Sequence, residues 1–159
     1  MDGKVFYRTV LGIQDHKLVN ELGKQSEVRA IKKGTIIQNA GEDCKFTSFL
    51  ISGLFRSFFL DGNGNEVTDS FSYLPGTPLV ASMGVKGPAV VSVEALEDSE
   101  ILLIKTDVVN ELASTQIGVA LLYAQLISNT LQMHWENKVA VSNHTAKARY
   151  VWFQNQFPG

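Results

Sequence analysis

The run Leu54-Phe55-Arg56-Ser57-Phe58-Phe59-Leu60-Asp61-Gly62-Asn63-Gly64-Asn65-Glu66-Val67-Thr68-Asp69-Ser70-Phe71-Ser72-Tyr73 decides the fold class. Two arms rich in aromatic, Val and Thr residues flank five residues drawn from Asp, Gly and Asn. Such arms suit a pleated, half-buried surface. Gly and Asn accept the positive φ that a tight reversal demands. The segment reads as a β-hairpin.

Similar runs lie on either side. Residues 28–31, 35–38, 46–51, 90–95 and 100–105 are short and β-rich, with glycines at 34, 41, 53, 62, 64, 76, 84 and 87 between and within them. Strands this short, spaced roughly 8–12 residues apart by turn signals, point to a β-sandwich, barrel or jelly roll. Before them, Asp15 is placed to cap a short helix through Leu22, with Gly23 just past its end.

Beyond residue 107 the pattern changes. Residues 110–141 hold no Pro, one Gly and many Leu, Ala and Gln, which favours a single helix of about 30 residues. Two stripes run along it in alternating steps of three and four. One is Ala120, Ala124, Ile127, Leu131, His134, Lys138 and Val141. The other is Val119, Leu122, Leu126, Asn129, Met133, Glu136 and Ala140. Two stripes suggest two neighbours, the β-domain on one side and a second subunit on the other. One wide stripe against the core is the plainer alternative. Ser142-Asn143-His144-Thr145 then reads as a break before a further helix start.

Composition narrows the function. The chain has 159 residues, 14 Lys+Arg against 16 Asp+Glu, and a net charge of -2. Phosphate contacts dominate nucleic-acid affinity and call for a basic excess, so this chain is not expected to hold DNA unaided. The one cysteine, Cys44, excludes an internal disulfide and a cysteine-ligated cluster, and suits a cytoplasmic setting. No apolar run reaches the length of a membrane span. The three histidines, His16, His134 and His144, lack metal spacing. A metal-dependent enzyme on a cupin-like roll needs clustered ligands that are absent here. No Gly-x-Ser-x-Gly motif or phosphate loop occurs, so no enzyme activity is expected. The Lys45 neighbour favours the Cys44 thiolate and would suit a redox switch; an inert thiol is the plainer reading.

Five pieces, in their order and spacing, carry a family resemblance. They are Ile31-Lys32-Lys33-Gly34-Thr35-Ile36-Ile37, Ala40-Gly41-Glu42, Phe49-Leu50-Ile51-Ser52-Gly53-Leu54-Phe55-Arg56, residues 61–68, and Val93-Glu94-Ala95-Leu96-Glu97-Asp98-Ser99-Glu100. Together with the long helix they resemble the Crp/Fnr family of bacterial transcription regulators. The resemblance implies a mainly β fold with flanking helices: a cyclic-nucleotide-binding-like β-roll, a double-stranded jelly roll, over 1–106. A dimerisation helix over 107–143 would follow, then the start of a DNA-binding domain over 144–159. The chain would thus be either a shortened regulator or one that naturally lacks its DNA reader. Its partners would be a second copy, a small-molecule effector of unknown identity, and DNA only through the absent domain.

The same resemblance locates the ligand site. Nucleotide-binding members hold the cyclic phosphate with a Gly-Glu pair and an Arg-Ser-Ala run. Here Ala81 and Ser82 fall at the Gly-Glu positions, and Ala89 near the Arg. Losing both charged contacts costs about two to four decades of affinity, and Lys86 is the one nearby cation. Tight binding of cyclic AMP or cyclic GMP is therefore not expected. The implied pocket is lined by Leu79, Val80, Ala81, Ser82, Met83, Val90, Val91 and Ser92, with Phe58, Phe71 or Tyr73 from the sheet. Thr130, Leu131, His134 and Trp135 would face it from the helix. Such a lining suits a neutral or aromatic ligand; alternatively the side chains fill the cavity and the chain is a ligand-free dimerisation or interaction module. No cofactor is expected, and a haem on His134 is disfavoured.

Overall fold

A computed structural model describes residues 1–81, 87–142 and 145–156. Two helices open the chain, α1 (Gly3–Thr9) and α2 (His16–Gln25). Seven strands follow: β1 (Ser26–Ile31), β2 (Ile36–Gln38), β3 (Phe46–Ser52), β4 (Phe55–Leu60), β5 (Glu66–Ser72), β6 (Ser92–Ala95) and β7 (Ser99–Lys105). Helices α3 (Thr106–Thr115), α4 (Ile117–Ser142) and α5 (Ala146–Gln156) close it. The strands form two antiparallel sheets, ordered β1-β7-β3 and β2-β6-β4-β5. Antiparallel β-sheets flanked by helices, with a long C-terminal helix, match the β-roll that the sequence implies.

β7 explains the layering. Its Ile101-Leu102-Leu103-Ile104 run is buried throughout, as expected of a strand covered on both faces. Ile101 and Leu103 meet Ile31, Leu50, Phe55 and Val93 between the two sheets. Leu102 and Ile104 meet Phe6, Val19, Leu22, Phe49 and Leu112 under the helices. Alternation along one strand thus builds two core layers.

The 54–73 hairpin forms as read, with Leu60 opposite Glu66. Asp61 organises the turn: its Oδ1 accepts from Asn63 N–H at 2.8 Å and Asn65 N–H at 2.9 Å. Positive φ is needed at Gly64 alone, at 83°.

One helix was not expected and two expectations change. The 3–9 helix α1 carries no clear period in the sequence; its Phe6 and Tyr7 are buried against α2 and β7. Asp15 does cap α2, accepting from Lys17 and Leu18 N–H, but the helix runs past Gly23 to Gln25. Gly23 lies inside it because a Cβ there would collide with Lys4 of α1. The single helix expected over 107–143 is two. Gln116 is extended (φ -127°, ψ 107°) and its N–H closes on Leu112 O at 2.8 Å. Thr115 Oγ1 bonds Glu111 O at 2.9 Å, a local competitor of the helical pattern. Gln116 O then accepts from Val119 and Ala120 N–H, starting α4. The break lets Leu112 and Val119 both reach the same core layer. The break expected over 142–145 includes residues 143–144, which lie outside the described residues, and the helix expected after it is α5.

A candidate ligand cavity between the β-roll and α4

Segment 76–81 positions the site. Gly76 N–H donates to Leu50 O (2.8 Å), Leu50 N–H to Thr77 O (2.9 Å) and Leu79 N–H to Ser48 O (2.8 Å), so the segment runs beside β3. Its return is pinned as well: Ala89 N–H donates to Glu42 O and Val90 N–H to Ala81 O, at 2.8 and 2.7 Å. Leu79, Ala81 and Ala89 are buried in the layer between the sheets.

Beside this segment lies a cavity of about 760 Å³. Ile31, Leu79, Ala81, Ile101 and Leu103 give it an apolar wall, and α4 contributes Tyr123, Leu126 and Ile127. Lys45, Thr47, Thr106 and the Tyr123 hydroxyl supply polar groups. Thr106 N–H donates to Lys45 O at 3.0 Å, and the Thr47 and Thr106 hydroxyls are 3.4 Å apart. Burial pushes the Tyr123 hydroxyl above the usual phenol range. Arg29 also lines the cavity, but Nε and Nη2 both donate to Glu27 at 3.0 Å. Arg56, on β4, is held too. Its Nε donates to Glu94 Oε2 at 2.7 Å, its Nη2 pairs with Glu66, and its guanidinium sits 4.5 Å from the Phe58 ring centre.

The expected site residues divide. Leu79, Val80 and Ala81 line this cavity. Ser82, Met83 and Lys86 lie outside the described residues. Val90 is exposed, Val91 packs on the inner layer, and Ser92 Oγ accepts from Ala40 N–H at 3.0 Å. Phe58 is buried under Arg56, and Phe71 stacks edge-on against Phe153 of α5 at 5.1 Å. Tyr73 and Thr130 border a second cavity of about 570 Å³, with Val10, Leu11 and Trp152. Leu131 and Trp135 are exposed. His134 lines neither cavity; its Nδ1 lies 3.7 Å from Asp69 Oδ2. Along the expected seam, Ala124, Leu131 and Lys138 are exposed while Ile127 and His134 turn toward the roll; the Val141 side chain is outside the described set.

Sequence reading missed Lys45, Thr47, Thr106 and Tyr123. The Tyr123–Ile127 pair at i, i+4 was the available signal, but placing it on the cavity side required knowing that α4 restarts at Ile117. Cys44 also lines the cavity; burial, then the Asp43 carboxylate, push its thiol up, which goes with the plainer reading of an inert thiol and against the redox-switch alternative. Among the described residues, no three His, Cys, Asp or Glu are grouped to hold a metal, and no helix is long and apolar enough to cross a membrane.

The pattern of the cyclic nucleotide-binding domain family matches residues 28–116, more than half of the 159 residues. No curated protein sequence matches. Solved structures share the fold. FixK2 from Bradyrhizobium japonicum is 22% identical with a TM-score of 0.64, over 76% of this chain and 60% of its own. The Thermus thermophilus catabolite activator protein is 21% identical, TM-score 0.63, over 86% and 62%. A protein from Eubacterium rectale described as a transcriptional regulator of the Crp/Fnr family is 18% identical, TM-score 0.74, over 94% and 70%. This chain therefore spans less than two thirds of the first two. Antiparallel sheets flanked by helices and followed by a long helix agree with that match: the chain belongs to the cyclic nucleotide-binding domain family, on the fold shared by Crp/Fnr-type regulators.

Proposed function

We propose that the chain is the effector-sensing and dimerisation module of a Crp/Fnr-type transcription regulator whose effector is not a cyclic nucleotide. One observation carries the reading: the 760 Å³ cavity has walls from both the β-roll and α4. A guest there touches Tyr123, Leu126 and Ile127, so it has different contact energy in each α4 position. A ligand shifts an equilibrium only through such a difference. An open cavity of this size favours sensing over a ligand-free module with a filled interior.

The phosphate-binding set is degenerate in this reading. Ala89, at the expected Arg position, is buried with both backbone groups bonded to the 41–42 turn. Arg56 is held by two carboxylates. Among the described residues, the Ala89 position and Arg56 thus offer no free charged contact of the kind a cyclic phosphate requires, which supports this reading. Isothermal titration with cyclic AMP and cyclic GMP should show no binding tighter than roughly 10 μM, about -7 kcal/mol; a saturating isotherm below that value overturns the reading.

α4 supports pairing with a second copy. Ile117, Leu121, Leu131 and Trp135 are exposed at 76%, 64%, 47% and 55%. With Ala124 they follow the three–four spacing of a coiled-coil seam, rotated slightly from the seam read in sequence. Residues 119, 122 and 126 pack on the roll. The net charge of -2 leaves DNA contact to a separate reader domain. A cytoplasmic location and the absence of catalysis go with this function.

A further inference from the structure

Resting on the sensing reading above, we propose that the cavity takes a small monoanion with an apolar body, a carboxylate on an alkyl chain or ring, with its charge on Lys45. This cation lies in the turn before β3 and not in the 76–90 segment, so the head group is held from a different element than the one that would hold a phosphate.

Lys45 lines the cavity at its water-facing edge, and its ammonium has no ion pair or hydrogen bond among the described residues. An unpaired cation at the edge of an apolar cavity favours an anionic guest over a neutral one of the same body. Arg29, the other lining cation, is already bonded to Glu27 through two nitrogens. Glu42 and Asp43, in the turn preceding Lys45, are exposed to water, which weakens their competition for it. The Thr47 and Thr106 hydroxyls lie beside Lys45 in the chain pairing, since Thr106 N–H donates to Lys45 O. They, and the Tyr123 hydroxyl that bonds no described residue, are donors for carboxylate oxygens. One free cation and a few hydroxyls satisfy one negative charge. The remaining wall is Ile31, Leu79, Ala81, Ile101 and Leu103, which suits a hydrocarbon body.

The test uses the 159-residue chain and N-phenyl-1-naphthylamine, a neutral probe that fluoresces in apolar sites. Octanoate and 1-octanol, matched in body, are titrated as competitors at neutral pH. Octanoate should displace the probe at a concentration about three- to fivefold below octanol, the worth of one water-exposed charge contact. Lys45→Met should erase that preference and leave the octanol midpoint unchanged; equal melting temperatures for variant and parent confirm the fold. Tyr123→Phe should reduce the preference without erasing it. Equal midpoints in the parent chain, or a preference that survives Lys45→Met, overturns the head-group assignment while the cavity reading stands. No probe fluorescence in the parent chain overturns both.

Discussion

His134 Nδ1 on α4 lies 3.7 Å from Asp69 Oδ2 on the edge strand β5. The side chains are 30% and 33% exposed, and pairs this exposed contribute below about 1 kcal/mol. Asp69→Asn should therefore shift the urea-unfolding free energy by less than about 1 kcal/mol. Hydrogen exchange in β5 and mid-α4 should quicken more than elsewhere, because the pair links two elements. A loss above about 2 kcal/mol would place the pair among buried networks instead.

Tyr7 gives a pH dependence. Its Oη is 2.7 Å from Ser26 Oγ, which itself donates to Leu22 O, so the phenol donates. Burial pushes its pKa from 10.0 to about 12, against a smaller opposing effect of the Ser26 hydrogen bond. The folded state thus holds a proton that the unfolded state releases near 10. The associated stability is complete below pH 10 and is lost as pH rises toward 12. Melting temperatures taken across this window should fall, and Tyr7→Phe should fall less steeply. Parallel curves would sink the assignment.

Gly53 follows β3 with φ +106°, and a Cβ there would overlap Ser99 Oγ and Cβ. Ser99 is buried and opposes Ile31 in the β1–β7 ladder. Gly53→Ala combines backbone strain with overpacking and should cost about 3 kcal/mol in denaturant unfolding. A cost under about 1 kcal/mol would mean that the turn rebuilds.

The α4 seam is tested by Ala124→Glu. Ala124 is exposed, one step along the seam from Leu121 and two from Leu131. A carboxylate facing its symmetry mate across a two-fold interface is unfavourable. Sedimentation should show a dimer for the parent and a monomer for the variant. An unchanged dimer removes this seam.

The β-roll was legible because its signals are local. Alternating runs and turn residues at 61–65 need no distant partner to be read, and all seven strands appear within about two residues of the sequence reading. Helix lengths were less legible. Gly23 reads as a stop, yet lies inside α2 because Lys4 of α1 approaches it, a contact invisible along the chain. Gln116 carries no breaker residue; its extended backbone follows from packing Leu112 and Val119 into one layer. The cavity suffered the same way. Leu79, Val80 and Ala81, read together from one contiguous stretch, do fall on the cavity wall. Lys45, Thr47 and Tyr123 were not read as lining it, since a turn, a strand and a helix converge only in the folded chain.

The break at Gln116 has a mechanical consequence. If the guest proposed above displaced α4 about Gln116, with α3 held on the roll, α4 would act as an arm. At about 1.5 Å per residue, Ile127 lies roughly 16 Å along that arm and Ser142 roughly 39 Å. Pushing the cavity wall outward by a given amount at Ile127 therefore displaces the far end of α4 by about two and a half times as much. A guest need move its contacts by only a fraction of an ångström to swing whatever follows α4 through more than its own displacement.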